Sequence, residues 1–286
     1  MKAEDIVQLR STPLSSPSYP AGPYRFVDRE YMTITYRTDP ALLRHHLPEP
    51  LEPHPDNIVV YEWIRMPDSS GFGDYTESGL VIPARFGGEE VSFVSQMYLD
   101  DQPPIAAGRE IWGFPKKYAH PKLQLVKDTL TGTLDYAGQQ VALGTMAYKH
   151  VSMEGDWDRT RASLARTQVN LKVIPGIDGN ADICQLVGLN IADITIKGSW
   201  SGPARLHLVP HVNAPVADLP VLGIVGATHF IADLTLPYGR VLHVGTSVEA
   251  VGAKIAGMRA YPQAYPQGER KAGLYAASRQ GSNLPA

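Results

Sequence analysis

Two adjacent lysines occupy an unusually aromatic stretch of the sequence. Lys116 and Lys117 lie within the run GREIWGFPKKYAHPK, which spans residues 108–122. Adjacent lysines in a proline-bounded turn are typical of a solvated surface patch. Trp112 and Phe114, however, could exclude water from one of the amines, and a desolvated lysine loses its preference for the charged form. The segment is therefore a candidate for an amine nucleophile that forms an imine with a carbonyl compound.

Such a nucleophile requires a lysine whose pKa lies far below its ordinary value. With a pKa of about 10.4, a solvated lysine is neutral in only a tiny fraction of molecules at pH 7. A downward shift of about four pKa units would make the neutral amine abundant, and it corresponds to about 5 kcal/mol in favour of that form. Burial alone can lower the pKa of a lysine by this amount.

The geometry of an extended chain separates the two amines. A proline follows Phe114 and favours an extended conformation there, and neighbouring residues of an extended segment project to opposite sides. We therefore expect Lys116 to face inward, towards a substrate pocket walled by Met97, Trp112 and Phe114. Lys117 should face away and pair with a carboxylate or a carbonyl group. Desolvation would then be the main cause of the lowered pKa of Lys116.

Charged residues of the N-terminal half could serve the same pocket. In the run IVVYEWIRM, residues 58–66, period-two alternation places Glu62 on an apolar face that also carries Val60, Ile64 and Met66. An edge strand with a polar outer face, or a structural ion pair, would explain Glu62 equally well. Glu77 follows a turn rich in Gly and Ser, and Arg29 by itself is typical of a solvated charge.

The composition is that of an ordinary globular protein. The chain has 286 residues, of which 43% are hydrophobic, enough for a sizeable core. The formal net charge of -3, without a long basic run, gives no electrostatic reason to expect nucleic acid or an anionic membrane as partner. The N-terminus lacks an apolar leader, and Pro220, His229 and Asp233 interrupt the most apolar stretch. We therefore expect a cytoplasmic protein that acts on a small molecule.

Signatures of other enzyme classes are missing from the sequence. Cys184 is the only cysteine, which excludes an internal disulfide and a cysteine-based metal cage. In the run GSWSG, residues 198–202, Trp200 occupies the place of a hydrolase's nucleophilic serine, and the sequence has no P-loop. The histidines bring no third ligand at a metal-site spacing. We therefore expect no metal.

Short runs of β-branched and aromatic residues, punctuated by Gly, Pro and Asn, dominate the chain and predict about ten strands. Gly87-Gly88 and Ala137-Gly138-Gln139 are typical of hairpin turns. Such a pattern favours a mainly β fold of the α+β class, with the sheet closed into a barrel. The predicted strands are 31–37, 58–66, 80–86, 91–99, 131–136, 140–148, 183–189, 191–200, 204–209 and 228–236.

Three segments predict helices at the periphery of this sheet. The first begins at Pro40 with Asp39 as its N-cap, and the second is Thr160–Val169. The third, Thr246–Met258, opens with a capping box and has one apolar face. We therefore predict a single domain over residues 1–245, followed by a C-terminal helix and extended tail over residues 246–286.

Several motifs, in order and at matching spacing, resemble the acetoacetate decarboxylase family. The resemblance covers Ser11 to Leu236, and the aromatic residues before the lysine pair depart from those of some relatives. It implies a cone-like antiparallel β-barrel subunit in a large homo-oligomer, a dodecamer. The motifs are GPYRFVDREY, LPEPL, YTESG, MYLDDQPPIAAGRE, FPKKYAHPKL, GTLDY and ADLP.

The resemblance also implies a reaction and roles for residues. Lys116 would form a Schiff base with acetoacetate and release acetone and carbon dioxide without metal, pyridoxal or thiamine. Arg29 and Glu77 would be its polar catalytic partners, Glu62 a further pocket carboxylate, and Lys117 a modulator of the nucleophile. The family is itself a standard example of a lysine activated by desolvation or by a neighbouring cation.

Two other functions remain compatible with these residues. A Schiff-base aldolase or dehydratase acting on another keto acid would use the same lysine. A non-catalytic barrel that binds small molecules would use the same aromatic pocket. Release of carbon dioxide from acetoacetate distinguishes decarboxylation from both alternatives.

Overall fold

The computed structural model describes residues 2–244 of the chain. The predicted C-terminal segment 246–286, including its helix Thr246–Met258, lies outside these residues. Strands are the main element of the described part, which confirms the predicted β-rich class. The strands are β1 (Tyr24–Arg37), β2 (Glu52–Pro53), β3 (Ile58–Met66), β4 (Asp68–Ser69), β5 (Tyr75–Phe86), β6 (Glu89–Leu99), β7 (Lys116–Tyr118), β8 (His120–Val126), β9 (Thr129–Tyr136), β10 (Gln139–Ala147), β11 (Val151–Ser152), β12 (Gln168–Pro175), β13 (Ala181–Leu189), β14 (Ala192–Ser201), β15 (Ala204–Leu208), β16 (Gly223–Leu236) and β17 (Arg240–Val244).

The strands form two sheets. The large sheet has the order β11-β14-β16-β1-β3-β5-β6-β12-β13-β17. Three further short strands belong to it: β2 pairs with β5, β4 with β1, and β7 with β6. The smaller sheet has the order β15-β10-β9-β8. Most neighbours are antiparallel, whereas β7 and β12 run parallel to β6. Within residues 2–244 the large sheet ends at β11 and β17, so the closed cone-like barrel is not confirmed.

Both predicted hairpin turns are present. Gly87 and Gly88 join β5 to β6, and Ala137 and Gly138 join β9 to β10. All four residues have positive φ, the backbone conformation of the two-residue turn that suits the twist of paired strands. Local turn chemistry therefore fixes these two pairings.

The helices agree less closely with the sequence patterns. They are α1 (Ala3–Ile6), α2 (Pro40–His45), α3 (Gln102–Ala107) and α4 (Trp157–Ala165). Asp39 caps α2 as predicted, because its carboxylate accepts hydrogen bonds from two backbone amides. Helix α4 begins and ends earlier than predicted, since the residues from Gln168 onward pair in β12. The patterns missed α3, although Asp101 is its N-cap and prolines occupy its first turn.

Strand β3 is buried on both faces. Tyr61 and Trp63 point into the larger hydrophobic core, and the Trp63 indole donates a 2.9 Å hydrogen bond to the Thr133 carbonyl of the smaller sheet. Glu62 and Ile64 point the other way, into a cavity. The smaller sheet thus fixes one face of β3 while the other face lines the cavity.

No helix among residues 2–244 is long and apolar enough to span a membrane.

Candidate active site

The inward face of the large sheet lines a cavity of about 740 Å³. Alternate residues of β1, β3 and β5 face it, because successive side chains of a strand point to opposite sides. The predicted residues Arg29, Glu62, Glu77, Met97, Phe114 and Lys116 all contribute to its lining. The structure therefore brings six of the eight predicted site residues to one cavity.

Lys116 enters the cavity from an edge of the sheet. Helix α3 continues as a π-helical turn, Gly108–Trp112, and Gly113 ends this turn in the left-handed conformation. The chain then becomes strand β7, in which Lys116 pairs with Met97 of β6. The Lys116 side chain is only 8% exposed. The turn and the strand together direct a buried amine at the cavity.

Gly108 makes room for this side chain. A Cβ atom at position 108 would lie 2.5 Å from the Lys116 Cδ, closer than a Cβ atom can approach another side chain, and 3.3 Å from its Nζ. No sequence pattern indicates this role, because the contact joins residues on either side of a turn.

Glu77 lies between two cations. The Lys116 Nζ donates a hydrogen bond of 2.5 Å to the Glu77 Oε1. The Arg29 Nη2 is 3.8 Å from the Glu77 Oε2, and the Glu77 side chain is 3% exposed. The three groups therefore form a buried line of alternating charge.

Aromatic rings hold the Arg29 guanidinium. Its Cζ lies 5.0 Å from the Phe26 ring centroid and 4.9 Å from that of Tyr31. Burial opposes its charge, but the groups around it, led by Tyr31 and Glu77, outweigh burial and raise the pKa of Arg29. The buried Nε has no hydrogen-bond partner within the described structure. Arg29 is thus a fixed cation at the cavity wall.

The pKa of Lys116 is lowered, and burial is the largest cause. The Glu77 carboxylate opposes this shift, whereas the positive charge of Arg29 adds to it. The Phe114 and Tyr75 rings lie 5.4 Å and 5.9 Å from the Lys116 Nζ and contribute to its apolar surroundings. An amine in this position gives up its proton more readily than a solvated lysine.

Glu62 is the second carboxyl group of the cavity. Burial raises its pKa to about 7, with Arg29 acting against the shift and Glu77 in favour of it. At neutral pH this group is therefore divided between its acid and its carboxylate forms, which suits a residue that exchanges protons.

Two predicted residues do not line the cavity. Lys117 faces away, is exposed, and donates a 2.5 Å hydrogen bond to the Asn213 carbonyl. Trp112 lies behind Phe114 at a ring distance of 6.1 Å, and its indole bonds to the Pro237 carbonyl. The alternation of β7 explains the first placement. The second follows from the local backbone, because Trp112 is the last residue of the π-helical turn and Gly113 is left-handed, so no strand alternation relates Trp112 to Phe114.

The sequence patterns missed several residues of the cavity. Tyr75 faces it from the strand that carries Glu77, and Phe230 stacks on Tyr31 at 4.4 Å. Period-two alternation from Glu77 would have identified Tyr75. Phe230 could not have been found in this way, because its place depends on the pairing of β16 with β1.

Comparison with known proteins gives matches over most of the chain. The family model described as acetoacetate decarboxylase matches residues 11–244. The acetoacetate decarboxylase of Acidiphilium cryptum is 56% identical over 243 residues, which cover 84% of this chain and 98% of that protein. The acetoacetate decarboxylase of Ralstonia nicotianae is 57% identical over 243 residues, covering 83% and 97%.

A solved structure is also similar. The crystal structure of acetoacetate decarboxylase from Legionella pneumophila has a TM-score of 0.79 and 48% sequence identity to this chain. The match covers 84% of this chain and 95% of that one. The likeness therefore extends to the arrangement of strands that surrounds the cavity.

Proposed function

The chain belongs to the acetoacetate decarboxylase family, and we infer that it is a carboxy-lyase that converts acetoacetate into acetone and carbon dioxide. We propose that the reaction proceeds through a Schiff base on Lys116. The observation that carries this mechanism is the buried contact between the Lys116 amine and the Glu77 carboxylate, with Arg29 on the other side of Glu77.

Arg29 binds the carboxylate of the substrate. Its guanidinium is cationic, is held between two rings, and has an unpartnered Nε donor. A charge-assisted bond to this group would orient the substrate. Glu77 already neutralises part of the positive charge of Arg29. Arg29 therefore binds the substrate carboxylate less tightly than an unpaired cation would, and opposes the loss of carbon dioxide less.

Lys116 forms the imine with help from Glu77. Glu77 takes a proton from the ammonium group along the existing hydrogen bond, and the free amine attacks the C3 carbonyl carbon. A proton then passes from the nitrogen to the new alkoxide, which gives the carbinolamine. The same carboxyl group donates a proton to its hydroxyl, which leaves as water while the nitrogen lone pair forms the C=N bond. The product is an iminium ion whose carbon is β to the substrate carboxylate.

Carbon dioxide leaves in the next step. The electron pair of the C1–C2 bond moves into the iminium group, which becomes a neutral enamine. Opposite charges disappear in this step, so an apolar cavity favours it more than water does. The enamine then takes a proton at C2, for which Glu62 with its pKa of about 7 is a suited source. Hydrolysis of the imine releases acetone and restores Lys116.

Two measurements test the function and the nucleophile. Carbon dioxide release from acetoacetate tests the reaction, and its absence would contradict the decarboxylase. Borohydride reduction in the presence of acetoacetate should attach the substrate carbons to Lys116, as located by peptide mass spectrometry. Lys117→Arg should still be labelled, whereas Lys116→Arg should not, since a guanidinium supplies no neutral amine near pH 7. Labelling at another lysine would overturn the assignment.

The remaining features of the proposal have their own tests. The iminium is the electron sink, so we propose that no metal, pyridoxal or thiamine is needed, and protein dialysed against a chelator should keep its activity.

We also propose a cytoplasmic homo-oligomer, a dodecamer as the resemblance implies. Light scattering of the purified protein measures the subunit count, and cell fractionation measures the location.

A further inference from the structure

Strand β1 contains one extra residue immediately before Arg29. Phe26 pairs with Leu234 of β16 and Arg29 pairs with Ala232, so three steps along β1 oppose two steps along β16. Asp28, inside this interval, has a φ of 55°. These are the features of a β-bulge, which bends a strand locally and re-aims the side chains beside it.

The bulge produces the ring cradle of Arg29. In a regular strand, residues three apart point to opposite sides. Here Phe26 and Arg29 both face the cavity, as does Tyr31. The rings of Phe26 and Tyr31 can therefore lie on either side of the guanidinium, at 5.0 Å and 4.9 Å from its Cζ. The position of this cation thus depends on the bulge.

Asp233 holds the bulge from the neighbouring strand. The Asp28 amide lies outside the regular pairing of β1 and donates a 2.8 Å hydrogen bond to the Asp233 Oδ1. The Lys197 Nζ is 2.7 Å from this same oxygen and 2.7 Å from the Asp28 Oδ1. Burial raises the pKa of Asp233, but the hydrogen bonds from Lys197 and Asp28 outweigh it and lower the pKa overall. The acceptor is therefore a carboxylate.

A second bulge lies on the other side of Asp233. Strand β14 has an extra residue between Ala192 and Thr195, where it pairs with β16, and Asp193 has a φ of 50°. Arg25 bridges the two irregular strands, because it donates to the Asp193 carbonyl and its Nη2 is 3.8 Å from the Asp233 Oδ2. One carboxylate thus lies at the junction of two bulged strands.

Asp233 does not reach the cavity. Thr228 and Phe230 of β16 line it, and so does Arg29, which pairs with Ala232. Asp233 follows Ala232 and projects from the opposite face of the sheet. Its side chain is 16% exposed. Asp233 is therefore placed away from a substrate in the cavity, and its hydrogen bond to the Asp28 amide links it to the backbone of β1 beside Arg29.

On the basis of the function proposed above, we infer that Asp233 is a positioning residue of the reaction: it fixes the β1 bulge that aims Arg29 at the substrate carboxylate. Without the acceptor, the Asp28 amide loses its partner, and a non-glycine residue is left at positive φ without the hydrogen bond that holds its backbone there. The bulge then shifts, and the guanidinium moves with it. A displaced guanidinium makes a weaker charge-assisted bond to the substrate carboxylate, so substrate binding is weakened.

Three single variants test this role through kcat and KM for acetoacetate. Asp233→Ala should raise KM about 10-fold with a smaller effect on kcat, since Arg29 binds the substrate in the ground state. Asp233→Asn should have a KM close to that of the parent, because the amide oxygen of Asn still accepts the hydrogen bond from the Asp28 amide. Lys197→Met, which leaves that bond intact, should stay within about twofold of the parent. A folded Asp233→Ala with parental KM, or an Asp233→Asn as impaired as Asp233→Ala, would overturn the inference.

If Asp233→Ala folds poorly, a second pair of variants tests the same role. Glycine adopts positive φ without strain, so Asp28→Gly should support the bulge and allow Asp28→Gly/Asp233→Ala to fold. The double variant should show the raised KM relative to Asp28→Gly alone, and equal KM values would contradict the role.

A crystal structure of the variant separates this inference from the proposed function. The Arg29 Cζ should leave its place 4.9 Å from the Tyr31 ring centroid in Asp233→Ala, and an unmoved guanidinium would refute the positioning role. A parent protein that releases no carbon dioxide from acetoacetate would refute the proposed function, whereas the displacement of Arg29 can be measured in either case.

Discussion

The Lys116 amine donates a 2.5 Å hydrogen bond to the Glu77 carboxylate inside the cavity. This contact has two opposing effects. The carboxylate favours the protonated amine, while the burial of the amine disfavours its charge. The proton is therefore held between two groups that exchange it at short range, which suits repeated proton transfer during imine formation.

Glu77→Gln should lower kcat by roughly 10²-fold or more, because the amide keeps the shape of the side chain but cannot carry a proton. The pKa of Lys116 should fall further, since Glu77 raises it in the parent. Steady-state kinetics over a range of pH measure both effects. A change confined to KM would show that Glu77 only binds the substrate.

Lys117→Met should leave the kinetic pKa of Lys116 low, because Lys117 points away from the cavity and bonds to the Asn213 carbonyl. The pH dependence of kcat/KM measures this pKa in the free enzyme. Phe114→Ser is the contrasting variant, since it admits water beside the amine and should raise the kinetic pKa. A rise in folded Lys117→Met towards an ordinary lysine value would show that charge repulsion, not burial, activates the nucleophile.

Gly108→Ala should nearly abolish activity while the protein remains folded. The new methyl group would meet the Lys116 Cδ at 2.5 Å and displace the amine from Glu77. Gly155→Ala is the matched control, because a Cβ at that position meets nothing within 4 Å. Borohydride labelling of Lys116 should decrease in Gly108→Ala only. Parental turnover in this variant would contradict the close approach.

Glu62→Gln should make the stability of the protein less dependent on pH. Burial raises the pKa of Glu62 to about 7 in the folded state, above its value in the unfolded chain. The stabilisation from its neutral form is complete below the unfolded pKa, near ~4.3, and is lost as pH rises through 7. Parent and variant should therefore differ more at pH 8 than at pH 5, in favour of the variant, by up to about 3 kcal/mol.

Chemical denaturation at pH 5 and pH 8 measures these free energies of unfolding. Glu62→Asp is a useful comparison because it keeps a titrating carboxyl group in the cavity. A constant difference between parent and Glu62→Gln over this range would show that Glu62 keeps an ordinary pKa when folded.

Local patterns in the sequence determined most of the strands and part of the site. The strand Ile58–Met66 has its predicted bounds, and its alternation correctly places Glu62 on an inward face. The two hairpins follow from their turn residues. These features depend on residues within a few positions of one another, for which backbone geometry is sufficient. That Lys116, Arg29 and Glu77 share one site was predicted from the family resemblance and not from any local pattern.

Tertiary structure alone decided how these residues meet. The sequence alone predicts a solvated charge at Arg29. In the structure Arg29 is a buried cation, because the bulge before it places Phe26 on the same face of β1 as Arg29. Asp233 contributes through an amide that is more than two hundred residues away in sequence. Pairing between distant strands sets these contacts, and no periodicity within a single strand specifies which strand lies beside it or where an extra residue is accommodated.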